Sequence, residues 1–133
     1  MAGFSDYLEK ALLEHAFGSD DYTPAANHYV SLHTADPTDD GSGTEVSGNN
    51  YSRVQIANNQ TTWSEAVNGT LSNAIAIQFP VPSGSWGTVT HFGIWDASTN
   101  GNLLAYGALT VSKAPGSGDD VSFGIGDLNI SLD

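Results

Sequence analysis

The sequence contains no cysteine and only three basic residues, Lys10, Arg53 and Lys113, among its 133 positions. Without cysteine, thiol catalysis and cysteine-ligated zinc or iron–sulfur clusters are excluded. Fifteen Asp and Glu give a formal net charge of −12. Because Lys and Arg contacts to phosphate dominate nucleic-acid affinity, a chain this acidic is expected to bind neither nucleic acid nor an anionic membrane surface.

Long apolar runs are absent as well, since no stretch reaches the roughly 18 to 20 apolar residues of a membrane span. Disorder is the usual consequence of high net charge, but here 39% of the residues are hydrophobic and include three Trp, five Tyr and five Phe. These residues are enough for a core. We therefore expect residues 1–133 to form a single domain that folds without a metal or a disulfide.

The first segment is the only good helix candidate. Its apolar positions recur at helical spacing and form one face: Phe4, Leu8, Ala11, Leu12 and His15. Ser5 suits the N-cap, and Gly18 lies where a left-handed residue ends a helix. The sequence thus predicts a helix over residues 4–17 that packs under the sheets or docks on a neighbouring subunit.

After Gly18 the apolar pattern changes to alternation. Segments rich in β-branched and aromatic residues predict seven strands, over residues 27–34, 51–57, 75–79, 88–95, 103–112, 121–125 and 128–132. Clusters of turn-forming residues separate them, and Asn100-Gly101 between two apolar runs is typical of a hairpin. The pattern predicts an all-β fold, an antiparallel β-sandwich or jelly-roll-like domain with one N-terminal α-helix.

No catalytic pattern is recognisable. Gly41-Ser42-Gly43 and Gly116-Ser117-Gly118 do not match the Gly-x-Ser-x-Gly nucleophile elbow. His91 and Asp96 could form a catalytic triad with one of the many serines. Taken by itself, Asp96 is the best candidate for a catalytic acid, because it ends an apolar strand. An Asp that follows a strand more often caps the next turn, however. Because no catalytic pattern is recognisable, the sequence predicts a protein that is not an enzyme and uses no cofactor.

Acidic side chains cluster in two loops, with Asp36, Asp39, Asp40 and Glu45 in the first and Asp119 and Asp120 in the second. Calcium favours such oxygen-rich loops. Counted from Asp36, however, the calcium-loop pattern requires acids where Thr38 and Ser47 stand. His28 and His33 are spaced by an odd number, so on a regular strand they face opposite sides. Solvated acidic loops are favoured over a metal site, and calcium in these loops is left open.

Tryptophan offers a possible sugar-binding surface. Trp63, Trp86 and Trp95 could each stack on a sugar ring, and Trp86 is expected to be exposed because it lies in the turn formed by residues 83–87. Packing in the core or against another subunit is the commoner role of tryptophan. Carbohydrate binding is therefore the less favoured interpretation.

Three stretches are more specific than composition: residues 5–9, residues 29–39 with 43–48 and 51–53, and residues 86–97 with 101–104. Together they resemble a family of small structural proteins from tailed bacteriophages and prophages, over nearly the whole chain. Some members are called tail-fibre proteins, and others look like capsid decoration or cement proteins. The family has no catalytic residues to carry over.

The resemblance implies a virion structural protein. A 133-residue unit without heptads or β-helical repeats favours a decoration or cement protein that binds the major capsid protein and stabilises the lattice at the capsid surface. We expect it to be a homo-oligomer, a trimer. The alternative is a tail-fibre or adhesion module that contacts a host receptor or glycan. The residues expected to contact the capsid or a neighbouring subunit are Phe4, Tyr7, Leu8, Leu12 and Trp86.

Overall fold

Residues 3–132 are described by a computed structural model, and most of the regular structure among them is strand. Met1, Ala2 and Asp133 lie outside the described residues. The elements in chain order are β1 Gly3–Phe4, α1 Asp6–Gly18, β2 Asn27–His33, β3 Val54–Ala57, β4 Thr70–Ser72, β5 Ile77–Gln78, β6 Val89–Trp95, β7 Leu103–Lys113, β8 Ser122–Phe123 and β9 Asn129–Ser131. The predicted all-β fold with a single N-terminal helix is confirmed.

One antiparallel sheet of five strands, in the order β1-β7-β6-β2-β3, forms the centre of the fold. The other strands form two separate antiparallel ribbons, β4-β9 and β5-β8, whose side chains join the same hydrophobic core. The strands are thus antiparallel as predicted. The second layer consists of two short ribbons, so the structure does not establish a jelly roll.

The central strands β2 and β6 are buried on both faces of the sheet. Val30 pairs with Ile94 and Leu32 pairs with Phe92, and these side chains enter the hydrophobic core. Because side chains alternate along a strand, Ser31 lies on the opposite face. It is also fully buried, since the long segment between β2 and β3 returns over that face and pairs with the end of β2.

The helix begins later than predicted because Ser5 is tied to the sheet. Ser5 donates its backbone N–H to the Leu104 carbonyl at 2.9 Å and its hydroxyl to the Leu103 carbonyl at 2.5 Å. Its hydroxyl oxygen also caps the helix by accepting the N–H of Leu8 at 3.2 Å. The predicted N-cap is confirmed, and Phe4 belongs to β1 instead of α1.

The helix ends one residue beyond its predicted end. Gly18 is the last helical residue, and Ser19 takes the left-handed conformation with φ 56°. The prediction that Gly18 is the left-handed residue is wrong. The reason is local, since the N–H groups of Ser19 and Asp20 both reach back to the carbonyl of Glu14. Within residues 3–132 the helix is too short to cross a bilayer.

Candidate functional site

The residues predicted to contact a partner do not form one exposed surface. Phe4 packs against the core from β1, and Leu8 and Leu12 are half-buried on the inner side of α1. Tyr7 is 43% exposed. Of the five residues predicted to contact a partner, Tyr7 is therefore the one that is well exposed.

Trp86 lies inside the protein, so the expectation that it is exposed is wrong. Only 4% of its surface is accessible, and its indole N–H donates to the carbonyl of Asn49 at 2.9 Å. The ring packs edge-on against Tyr51 and Phe79. Trp63 and Trp95 are also buried, at 6% and 8% exposure. None of the three indoles offers an open face for a sugar ring.

Large exposed side chains lie instead on the outer face of α1. Leu13 is 61% exposed and Phe17 is 88% exposed. They are four residues apart, so they are neighbours on the helix surface, and we call them the helix apolar pair. The Lys10–Glu14 ion pair, at 2.6 Å, lies on the same exposed part of the helix. This pair was not predicted, because the inner apolar face has the stronger helical pattern, although the spacing of Leu13 and Phe17 is visible in the sequence.

The helix packs only loosely on its inner side. A groove of about 340 Å³ opens beneath its first half, with a mainly apolar lining that includes Leu8, Trp63, Leu71 and Ile130. No residue of α1 is buried. The helix is thus fixed at its N-terminus by the Ser5 hydrogen bonds and half-buried along its inner side, and its outer face is exposed.

Comparison with protein families identifies the family to which this chain belongs. A family profile described as "Podophage GP4 fiber I protein gp80" matches residues 3–131. The chain belongs to this fibre-protein family. No curated protein is significantly similar to it in sequence. The resemblance to phage structural proteins is confirmed, and the chain is a structural component of a bacteriophage virion.

In this fibre-family protein, the arrangement that most resembles catalytic machinery is sealed in the interior. The Ser31 hydroxyl lies 2.7 Å from Nε2 of His33, which is the spacing of a nucleophile and its base. His33 Nδ1 faces the carbonyl of Gly43 at 3.1 Å, so this nitrogen carries the proton and Nε2 accepts. Ser31 and His33 are both 0% exposed. Substrate has no access, and the pair instead fastens the covering segment to the sheet.

The same buried network continues to Trp95. Its indole N–H donates to the Ser31 hydroxyl at 2.8 Å, and its ring stacks near His33. Burial lowers the pKa of His33, which keeps the imidazole neutral. His28 lies on the other face of β2, as its odd spacing predicted, and accepts the indole N–H of Trp63 at 3.0 Å.

A second cluster beside this network centres on Arg53. Its guanidinium makes two hydrogen bonds to Glu45, at 2.8 and 3.0 Å, and two to the carbonyls of Ala97 and Asn100, both at 2.9 Å. It also lies 4.1 Å from the centre of the Trp95 ring. Arg53, one of the three basic side chains, therefore joins two loops. Because it is buried there, it does little to offset the negative charge of the outer surface.

The acidic loop after β2 uses its carboxylates to hold its own shape. Asp36 accepts the N–H of Thr38, and Asp39 accepts the hydroxyl of Tyr106. The second contact raises the pKa of Tyr106 to about 12. Within residues 3–132, no three His, Asp or Glu side chains come together as a metal site would require.

Asp96, the best isolated acid in the sequence, caps a turn. Its carboxylate accepts the backbone N–H of Asn102 at 2.7 Å and the side-chain amide of the same residue at 2.9 Å. The turn between them has Asn100 and Gly101 at φ 52° and 76°, as the predicted hairpin requires. The capping interpretation of Asp96 is confirmed.

Asp40 provides a pH-dependent test of the acidic loop. Hydrogen bonds from the hydroxyl of Thr38 and from Ser42 lower the pKa of Asp40 to about 2. A lowered pKa means that the carboxylate supports the loop fully above its ordinary pKa of about 3.9, and that this support is lost as the pH falls through about 2. In Thr38→Val we expect the midpoint of Asp40, followed by carboxyl NMR, to rise toward the ordinary value. Thr99→Val is the control, and an unchanged midpoint in Thr38→Val would contradict the described loop.

Proposed function

We propose that the protein is a module of a phage tail fibre, and that it is attached to a neighbouring virion protein through the helix apolar pair. The supporting observation is the match to a fibre-protein family over residues 3–131. The expectation of a capsid decoration protein bound to the major capsid protein has less support, because the family description names a fibre. The tail therefore takes the place of the capsid surface as the proposed location.

Leu13 and Phe17 are the side chains through which we expect attachment. Both are large apolar side chains, and Phe17 is 88% exposed in the isolated chain. Covering each of them in an interface contributes about 1.5 to 3 kcal/mol. A fibre contains repeated subunits, so a weak contact per subunit becomes strong through multivalency. A helix whose inner side packs on its own protein and whose outer side exposes two apolar side chains is suited to such a contact.

The test is incorporation into virions. A phage that lacks the gene is complemented with the wild-type chain or with a Leu13→Ser/Phe17→Ser double variant, and the purified virions are analysed by quantitative mass spectrometry. We expect the wild-type protein to occur in far fewer copies than the major capsid protein. We expect the copy number of the double variant per virion to be lower than that of the wild type by about tenfold or more. The reason is that loss of each apolar contact weakens attachment by at least that factor.

A matched control separates attachment from folding. Val67→Ser/Ile125→Ser replaces two apolar side chains of similar exposure, 64% and 70%, on other parts of the surface. This variant should be incorporated like the wild type, and circular dichroism should show all variants folded. A copy number close to that of the major capsid protein would overturn the tail assignment. Normal incorporation of the Leu13→Ser/Phe17→Ser variant would overturn the role of the helix apolar pair in attachment, and it would leave the tail assignment unaffected.

A further inference from the structure

The groove beneath α1 brings together four aromatic side chains from separate segments of the chain. We call it the helix groove, and its aromatic lining is Phe4, Tyr22, His28 and Trp63. Its volume is about 340 Å³, whereas about 150 Å³ is enough to hold a benzene ring. An aromatic ring in the helix groove would therefore have room and would gain favourable contacts with the rings around it.

No Asp, Glu, Lys or Arg is among the residues that line the helix groove in the described part of the chain. The polar side chains of its lining are neutral amides, hydroxyls and one imidazole, from Tyr22, His28, Asn58, Asn59, Gln60 and Ser64. An ion that entered the groove would lose its water without gaining a partner of opposite charge. The lining therefore favours an uncharged ligand.

His28 offers a hydrogen-bond donor to such a ligand. Its Nδ1 accepts the indole N–H of Trp63 at 3.0 Å, so in the neutral imidazole the proton is on Nε2. Burial lowers the pKa of His28, against a smaller opposing effect of Asp96, and the ring is therefore neutral at neutral pH. Nε2 has no hydrogen-bond partner within residues 3–132, and it is not sealed from solvent.

Asn58 offers the matching acceptor. Pairing of β2 with β3 continues in the bond from the Asn58 backbone N–H to the Ala26 carbonyl at 3.0 Å. His28 lies opposite Ile56, two residues before Asn58, so His28 and Asn58 are on the same face of the sheet. The Asn58 amide nitrogen donates to the Ala25 carbonyl at 2.8 Å. Its Oδ1 has no partner among the described residues and is also open to solvent.

We propose that the helix groove binds a tyrosine side chain of a partner protein. The aromatic lining takes the ring, and the hydroxyl group accepts from Nε2 of His28 and donates to Oδ1 of Asn58. Phenylalanine has no hydroxyl, tryptophan can only donate, and a carboxylate is charged, so tyrosine is the side chain that uses both groups. The ring is assigned to a protein because the chain is a structural component of a virion, where its neighbours are proteins.

A second copy of this chain is a poorer source of the tyrosine. Tyr7 is the one exposed tyrosine among the described residues, and it lies beside Asp6 and close to Glu9 in α1. Two copies would also bring together two net charges of −12. The proposal holds for a tail or a capsid location and does not use the helix apolar pair. It can therefore fail or succeed separately from the virion experiment.

The experiment titrates the full ¹⁵N-labelled chain with N-acetyl-tyrosinamide and follows the amide chemical shifts. We expect saturable shifts concentrated at His28 and at residues 58–66. N-acetyl-phenylalaninamide keeps the ring but lacks the hydroxyl, and it should bind about tenfold more weakly, because His28 and Asn58 then lose their partner. The phosphotyrosine amide should show no binding, because its charge is repelled and has no partner in the groove.

Variants of the protein at two exposed alanines locate the site independently of the shifts. Ala66 lines the helix groove, and a larger side chain there would occupy it, so Ala66→Phe should abolish binding of N-acetyl-tyrosinamide. Ala108→Phe makes the same change at an exposed position of β7 that is outside the groove lining, and it should bind like the wild type.

His28→Phe tests the hydrogen bond itself. This variant should bind the tyrosine and phenylalanine amides equally, at the weaker affinity, so the tenfold preference is lost. It also removes the acceptor of the Trp63 indole, so circular dichroism must show that it folds. If it does not fold, the ligand series and Ala66→Phe still decide.

Four results would overturn the proposal. They are the absence of saturable shifts with N-acetyl-tyrosinamide, equal wild-type affinity for the two amides, tight binding of the phosphotyrosine amide, and wild-type binding by Ala66→Phe. Binding of p-cresol without binding of N-acetyl-tyrosinamide would also overturn it, since the occupant would then be a free phenol. So would self-association in sedimentation that Ala66→Phe abolishes, since the occupant would then be a second copy.

Discussion

Replacing Gly93 with alanine is expected to lower the free energy of unfolding by about 3 kcal/mol, from overpacking together with disrupted buried hydrogen bonds. A methyl group at this position would lie 2.7 Å from the Ser31 hydroxyl, 3.0 Å from the indole nitrogen of Trp95 and 3.1 Å from Nε2 of His33. These atoms form the buried network, in which Ser31, His33 and Trp95 are 0%, 0% and 8% exposed. Urea unfolding followed by tryptophan fluorescence measures the effect.

Gly3→Ala is the matched control for Gly93→Ala. Gly3 also lies in a strand of the five-stranded sheet, but an added methyl group there would meet nothing within 4 Å. Its stability should be unchanged or slightly higher, because alanine restricts the unfolded chain more than glycine does. If the two variants were equally stable, the tight packing of Ser31, His33 and Trp95 around Gly93 would be wrong.

Replacing Arg53 with methionine is expected to cost about 4 kcal/mol, within the range for breaking a buried ion pair. The Arg53 side chain is 7% exposed and the Glu45 side chain 25%. Removal of the guanidinium leaves Glu45 with only Tyr51 as a side-chain donor and leaves the carbonyls of Ala97 and Asn100 without their arginine. Denaturant unfolding at neutral pH measures this loss.

Lys10→Met is the control for the arginine variant, because it removes a basic partner from an exposed ion pair. Lys10 and Glu14 are 71% and 45% exposed, so water screens their interaction and little change in stability is expected. If Lys10→Met lowered the free energy of unfolding as much as Arg53→Met, burial would not explain the expected difference between the two ion pairs.

The arginine variant should also respond differently to acid. Burial raises the pKa of Glu45, but hydrogen bonds from Arg53 and Tyr51 outweigh burial and hold the pKa below its ordinary value. A lowered pKa contributes stability above the ordinary carboxyl pKa, and that contribution disappears as the pH falls through the lowered pKa. The part of the acid sensitivity that comes from Glu45 should therefore shrink in Arg53→Met.

Much of the fold could be predicted because its main elements have strong local patterns. The helix followed from the spacing of Leu8, Ala11 and Leu12, and the long strands β2 and β6 followed from alternating apolar residues. β1 could not be predicted in the same way. It has two residues, and its position depends on bonds from Ser5 to carbonyls nearly a hundred positions away.

The candidate site was less predictable because exposure depends on tertiary packing. Trp86 lies in a turn, where exposure is the normal expectation, yet Tyr51 and Phe79 enclose its ring. Leu13 and Phe17 were not predicted, although their spacing of four residues is that of neighbours on one helical face.

The stretches that carried the family resemblance pair with each other in the middle of the sheet. Tyr29 lies opposite Trp95, and Ser31 lies opposite Gly93. These motifs therefore record how the core and the buried network are built. They identify the family for that reason, whereas Leu13 and Phe17 on the outer face of α1 lie outside the two long motifs.

The most direct test of the tail-fibre assignment is the position of the protein on the virion. An antibody against the purified chain, coupled to gold particles, is added to intact virions and viewed by electron microscopy. Labelling confined to the tail region and absent from virions that lack the gene is the predicted result. Gold distributed over the whole capsid would contradict the account.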